Sequence, residues 1–294
     1  MQQVEKDKVN ISIKELEYQA VNCRLNVIRM LRASGHGHVG GAMSAIDIVT
    51  ALYFGEMQID PQDPQDPDRD RFILSAGHKC LAQYAVLAEK GYFDKSVLDT
   101  YGSLKSLIPG HPDMHKLPGI EANTGALGHG LSIANGMAIA AKLKKKNSRV
   151  FVIMGDGELP EGSNWEAAAQ AAKFKLDNLI VFVDYNGLQI SGKVENILNM
   201  QPLEDKFKAY GWSVININGN DMRQIVLALE TTPRKVGKPT VIISKTVKAK
   251  GVPMGEGKVD FHFWKPSKED LDKTELALNE QKKMLESELK KGED

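Results

Sequence analysis

The stretch VFVIMGDGELPEG, residues 150–162, sets five apolar residues before a turn rich in glycine and in acids. An unbroken apolar run of that length reads as a strand buried on both faces, as in parallel sheets. A glycine-rich turn leaving such a strand commonly holds phosphate through its backbone N–H groups. This one carries Asp156, Glu158 and Glu161, whose charges repel phosphate. The conflict between turn and charge has to be resolved before the fold says anything about function.

Outward from that strand the chain alternates. RFILSAG (71–77) reads as a short strand followed by a helix over about 82–90. LIVFVD (179–184), WSVINI (212–217) and TVIIS (240–244) read as further buried strands, with a helix over 222–230 between the last two. Toward the amino end, Ser12-Ile13-Lys14-Glu15 is a capping box, and Leu16, Ala20, Cys23, Val27 and Met30 follow at helical spacing up to Ser34-Gly35. A second helical pattern spans 44–53, and DPQDPQDPDRDR (60–71) is a Pro/Asp loop. Ser163-Asn164-Trp165-Glu166 has the form of another capping box, opening the helix NWEAAAQAAKF (164–174). From Ser267 onward a charged amphipathic helix is expected to bury Leu271, Leu276, Leu285 and Leu289.

Short apolar strands alternating with helices predict an α/β fold, a doubly wound and mainly parallel sheet with helices on both faces. No internal repeat or low-complexity linker divides it. The expected organisation is one domain over 1–294, with an amino-terminal helix (1–33) and a charged helical tail (267–294) as extensions.

Of the 294 residues, 42% are hydrophobic and 26% charged, a balance that supports a core. Lys and Arg match Asp and Glu, 38 against 38, so no charge excess points to nucleic acid or a membrane surface. Two cysteines, Cys23 and Cys80, make no disulfide framework and suggest a reducing compartment, the cytoplasm. The opening MQQVEKDKVN has no apolar signal core, and no apolar run approaches the roughly 20 residues of a membrane span.

In doubly wound sheets ligands bind beyond the carboxyl ends of the strands. Residues 155–157 and 184–188 leave two strands at that edge, and Asp156 and Asn186 stand one strand–helix–strand crossover apart. A dinucleotide site needs G-x-G-x-x-G, whereas Gly155, Gly157 and Gly162 have another spacing and no basic residue among them. A divalent cation resolves the conflict, because Mg²⁺ is held by one or two carboxylates together with substrate phosphates. Asp156 would supply charge, Asn186 an amide oxygen and a nearby backbone carbonyl a third ligand, on an exposed loop. The competing reading has Asp156 and Glu161 merely capping turns.

GDGELPEGSNWEAA followed by VDYNG resembles the thiamine diphosphate motif, in the EGxxWEA form of transketolases. The resemblance implies that Asp156, Asn186 and the carbonyl of Leu188 bind Mg²⁺ or Ca²⁺, and that Gly157 and Asn186 contact the diphosphate. It places Glu161 and Glu166 at a subunit interface.

The seven histidines avoid the stretch 130–261, and five of them adjoin a glycine. A zinc site lacks H-E-x-x-H or C-x-x-C support, and only His36 and His38 lie close in sequence. The family resemblance assigns most of them. GHVGGAMSAIDIV is similar to GHPGGSLSAADIL, making His38 a proton handler on the substrate. RDRFILSAGHK is similar to RDRFVLSKGHA, putting His78 on the cofactor. IPGHPDM resembles the sugar-binding GHP turn, hence His111. TGALGHGLSIANGMA resembles TGxLGQGLSxAxGMA, so that Gly125, Ala126 and Leu127 line the thiamine. DFHFW matches W-H-G only at His262, which would bridge diphosphate and substrate. Val39, His129 and Phe263 depart from the pattern, at Pro, Gln and Gly respectively. His36 and His115 are expected in solvent.

What the resemblance implies is the amino-terminal subunit of a split transketolase, moving a two-carbon ketol unit from a ketose phosphate to an aldose phosphate, with His38, His111 and His262 as acid–base groups. The glutamate that activates thiamine would come from a carboxy-terminal partner carrying the pyrimidine-binding domain, in an α2β2 assembly. The alternatives are the α subunit of a 2-oxoacid dehydrogenase, which lacks the GHP turn, and a non-catalytic regulatory binder of thiamine diphosphate. A deoxyxylulose-phosphate synthase fits less well, for want of E-G-x-x-W-E-A.

Overall fold

A computed structural model of the chain describes residues 11–233 and 235–291. The first ten residues of the amino-terminal extension expected over 1–33, and the last three of the tail, lie outside them.

The amino end is built as its local signals dictate. α1 (Ile13–Ser34) starts at the Ser12/Glu15 capping box, with both reciprocal bonds formed, and ends at Gly35, whose φ of 72° is the left-handed cap that glycine takes most easily. Its five predicted apolar positions are all buried. α2 (Val39–Ala51) begins earlier than its periodicity suggests, running through Gly40 and Gly41 before a single π turn over Leu52–Glu56. Those glycines permit close approach. A Cβ on Gly40 would stand 2.6 Å from the Phe261 carbonyl oxygen, and one on Gly41 2.9 Å from the Lys79 side chain.

The sheet contains β1 (Arg71–Leu74), β2 (Val150–Gly155), β3 (Leu179–Tyr185), β4 (Ser213–Asn218) and β5 (Thr240–Lys245). All are parallel, in the order β1-β2-β3-β5-β4. The intervening helices are α3 (Cys80–Lys90), α4 (Gly130–Leu143), α5 (Gly162–Lys173), α6 (Val194–Ile197), α7 (Leu203–Ala209) and α8 (Met222–Glu230), and α9 (Lys268–Lys291) closes the described chain. Phe151, Ile153, Ile180, Phe182 and Ile242 pack with α1, α2, α3, α8 and α9 on one face. Their alternating neighbours Val152, Met154, Val181, Val183 and Val241 pack with α4, α5 and α7 on the other. Both faces being covered explains why the strands read as unbroken apolar runs.

Two local expectations are corrected. The Ser163–Glu166 capping box does not form: α5 starts two residues earlier, at Gly162 after Glu161, and the Ser163 hydroxyl donates instead to the Gly128 carbonyl at 2.8 Å. In α9, Leu276 is 61% exposed and Leu289 only half-buried, while Thr274 and Leu278 turn inward beside Leu271 and Leu285. No described helix is long and apolar enough to cross a membrane.

Candidate active site

Beyond the carboxyl ends of β1, β2, β3 and β5 lies a cavity of about 300 Å³. Its walls include Gly125, Leu127, Asp156, Gly157, Asn186 and Leu188 among the expected cofactor and metal residues, together with His38, His78 and His262. Ala126 and His111 stand outside that lining. His111 is nonetheless adjacent, since a Cβ on Gly125 would touch its ring at 2.8 Å.

The acidic loop is not exposed, contrary to expectation. Asp156 is 3% exposed, and its two carboxylate oxygens accept from Gly157 N–H at 2.8 Å and Gly187 N–H at 2.6 Å. The second bond ties the turn after β2 directly to the turn after β3. Burial pushes its carboxyl up to about 6, with the Lys79 ammonium pulling the other way. Asn186 Oδ1 accepts from Leu188 N–H at 3.1 Å, which orients the amide. Glu161 and Glu166 lie exposed at the start of α5.

Four of the histidines converge from four separate segments. His38 caps α2 without a side-chain capping bond, and its ring lies 5.4 Å from that of His78, 5.5 Å from His262 and 6.5 Å from His111. His78 and His262 are 5.4 Å apart. Burial, reinforced by Lys79, lowers His78 to about 2, and burial with Lys248 lowers His262 to about 4. His38 is also lowered, by burial first and then by His111. All three imidazoles are therefore neutral at pH 7, each offering one donor and one acceptor. Lys248 Nζ, a donor only, stands 3.3 Å from His262 Nδ1, which puts the imidazole proton on Nε2.

His36 is exposed, as expected, and stacks on Phe263 with ring centroids 5.4 Å apart. His115 is exposed as well. His129, also at the surface, turns Nδ1 back to the carbonyls of Ala126 and Leu127 at 3.2 and 3.1 Å, bracing the turn it follows.

Two cations and a carboxylate of the site escape a sequence reading. Lys79 pairs with Asp184, and Lys248 reaches the carbonyls of Leu188 and Gln189 at 3.4 and 3.3 Å. Burial and the neighbouring Lys79 lower the Lys248 ammonium to about 8. Lys248 is one of three lysines in KTVKAKG (245–251), and nothing local marks which of them points inward. Glu158 lines the cavity, held by several donors.

The donor set suits a magnesium diphosphate. Asp156, Asn186 and the Leu188 carbonyl offer only oxygens, the hard ligands that Mg²⁺ and Ca²⁺ take. An ammonium already rests on the Leu188 carbonyl, so that oxygen faces a position that favours positive charge. The Gln189 side-chain N–H₂ is buried at the cavity without an acceptor among the described residues, a donor suited to an anion. Gly157 leaves room that even a methyl group would crowd, since a Cβ there would stand 3.0 Å from Gln189 Cγ.

Residues 17–286 match the family described as transketolase, thiamine diphosphate binding domain. The chain is 40% identical over 278 residues to a subunit of the apulose-4-phosphate transketolase of Phocaeicola vulgatus, covering 95% of this chain and 99% of that one. It is 44% identical over 274 residues to the subunit of the same name from Actinobacillus succinogenes, covering 93% and 98%. The structure superposes on the transketolase of Campylobacter jejuni with a TM-score of 0.85 and 33% identity, over 92% of this chain and 43% of that one. The chain belongs to the transketolase family, as its amino-terminal, thiamine diphosphate-binding part. It spans less than half the length of the Campylobacter enzyme and nearly the whole of the two relatives named as single subunits. Family membership sets aside the 2-oxoacid dehydrogenase alternative.

Proposed function

We propose that this chain is the diphosphate-binding half of a split transketolase, transferring a two-carbon ketol unit between a ketose phosphate and an aldose phosphate. The observation that carries the reading is the meeting of Asp156 and Asn186 with His38, His78 and His262 around one cavity at the carboxyl edge of the sheet. In this reading Asp156, Asn186 and the Leu188 carbonyl hold Mg²⁺ or Ca²⁺. Gly157, His78, Asn186 and His262 hold the diphosphate. The turn Gly125-Ala126-Leu127 shapes the thiamine side. Thiamine diphosphate, when bound, supplies the carbanion chemistry that no side chain can. The residues supply position and protons: His38, His111 and His262 exchange protons with sugar hydroxyls, a general acid–base task.

The partner would be a second chain carrying the pyrimidine-binding domain, in an α2β2 assembly. Support comes from relatives named as transketolase subunits, which this chain matches over nearly their whole length. Those relatives' names make apulose 4-phosphate the first substrate to try. The domain reading of 1–294 as one diphosphate domain belongs to the same proposal. So does a cytoplasmic location, which the two buried free thiols suit.

The test is ketol transfer with saturating cofactor and Mg²⁺, for the chain alone and after adding the candidate partner. Activity only in the mixture is expected. Full turnover by the isolated chain would sink the split reading, and cofactor binding with no transfer in any mixture would favour the regulatory binder.

A further inference from the structure

Glu158 belongs to the acidic turn yet is closed to any cation. It is 1% exposed, and both carboxylate oxygens are taken by donors from three segments. Oε1 accepts from the Ser75 hydroxyl after β1 and from the Gly128 N–H at 2.9 Å. Oε2 accepts from the Gly155 N–H at 3.1 Å. Its own backbone carbonyl accepts from Asn164 Nδ2 at 2.8 Å, anchoring the residue to α5.

These segments meet without room for side chains. A Cβ on Gly77 would lie 2.6 Å from the Thr124 carbonyl oxygen, and one on Gly128 2.6 Å from both Glu161 Cβ and Ser163 Oγ. Gly128 needs glycine twice over, because its φ is +84°. Buried amides packed this closely must be satisfied internally, since an unpaired one costs the full desolvation penalty. One carboxylate satisfies an amide at each end of the cavity: Gly128 closes the turn 125–128, and Gly155 opens the loop 155–157.

We propose that Glu158 is a positioning residue that ties the turn 125–128 to the loop 155–157, so that filling the diphosphate end of the site orders its thiamine end. This rests on the reading that the 155–157 loop takes the diphosphate. A ligand that stills that loop also stills the shared acceptor, and the Gly128 bond is then open less often. By linkage, whatever orders the turn must strengthen diphosphate binding by the same factor.

Amide hydrogen exchange, read residue by residue with magnesium pyrophosphate as the probe, tests the tie. In the wild-type chain, saturating probe should slow exchange at Gly128 as well as in the 155–157 loop. In Glu158→Ala the free chain should exchange at Gly128 about tenfold faster, the effect of one lost hydrogen bond. Saturating probe should then leave the Gly128 rate unchanged. Glu158→Gln fills the same volume but offers one acceptor oxygen, its N–H₂ facing a donor. It should keep the fold, lose protection at one of Gly128 and Gly155 only, and lose the coupling. Probe that binds the wild type and leaves Gly128 exchange untouched overturns the proposal, as does full coupling in Glu158→Gln. Failure of the wild type to bind magnesium pyrophosphate at all removes the diphosphate reading and the tie with it.

Discussion

Lys79 and Asp184, 105 residues apart in sequence, form an ion pair of 2.5 Å with side chains 4% and 0% exposed. Asp184 also accepts from the hydroxyls of Ser44 and Thr246, so the pair fastens α2, α3, β3 and β5 together beneath the cavity. A buried pair contributes little net stability, but removing one partner leaves an uncompensated charge.

Lys79→Met should therefore cost about 3–5 kcal/mol of stability, the usual penalty for breaking a buried pair. Adding Asp184→Asn should recover part of that loss, because the orphaned charge is gone. Denaturant melts of the single and double variants measure it. A single variant as stable as wild type would show that water or another cation relieves Asp184.

Asp156→Ala should abolish metal-dependent thiamine diphosphate binding, by loss of the charged ligand. Since Asp156 is buried and braces the Gly187 turn, some loosening of residues 186–188 should accompany it. The wild type should lose the same affinity as pH falls through about 6, where the Asp156 carboxyl takes up a proton. Calorimetry with cofactor and Mg²⁺ across that range checks both. Unchanged affinity in the variant would place the metal elsewhere.

His38→Ala should lower turnover of the assembled enzyme by about 10²–10⁴-fold, the usual range for a general acid–base group. Cofactor affinity should barely change, because in the proposed arrangement His38 serves the sugar with His111 while His78 serves the cofactor. A variant with full turnover and weakened cofactor binding would mean that His38 and His78 exchange roles.

The contribution of the buried histidines to stability should fall as pH drops below about 6.5. His78 and His262 stay neutral in the fold down to about 2 and about 4, while in the unfolded chain they take up protons near 6.5. Their contribution is present above 6.5 and lost progressively as the pH falls toward those values. Asp156 acts in the opposite sense: its contribution is present at low pH and lost as pH rises through about 6. Burial raises Glu121 and Glu158 as well, and they act in the same sense as Asp156, so the histidine share is isolated by removing one histidine. Replacing His78 by Phe should reduce the slope of stability against pH by up to about 1.4 kcal/mol per pH unit, the value of one proton. Chemical melts at a series of pH values give the slope directly, and an unaltered slope in the variant would show that His78 titrates normally.

Much of this protein was legible in its sequence because the deciding signals were local. The Ser12–Glu15 box, the apolar runs of β2, β3 and β5, and the left-handed Gly35 depend on residues within a few positions of one another. The pairing of Asp156 with Asn186 was readable too, because a strand–helix–strand crossover has a nearly fixed length. Side chains whose partners come from distant segments were not. The Ser163 hydroxyl had a capping box available and gave it up for the Gly128 carbonyl, a bond no spacing announces. Lys79, Lys248 and Glu158 look like ordinary surface charges in sequence, and they are buried because other segments supply their counter-charges and donors. Local hydrogen bonds and periodicity are short-range and can be written in neighbouring residues. The burial of a charge is decided by every group that surrounds it, and only the folded chain brings those groups together.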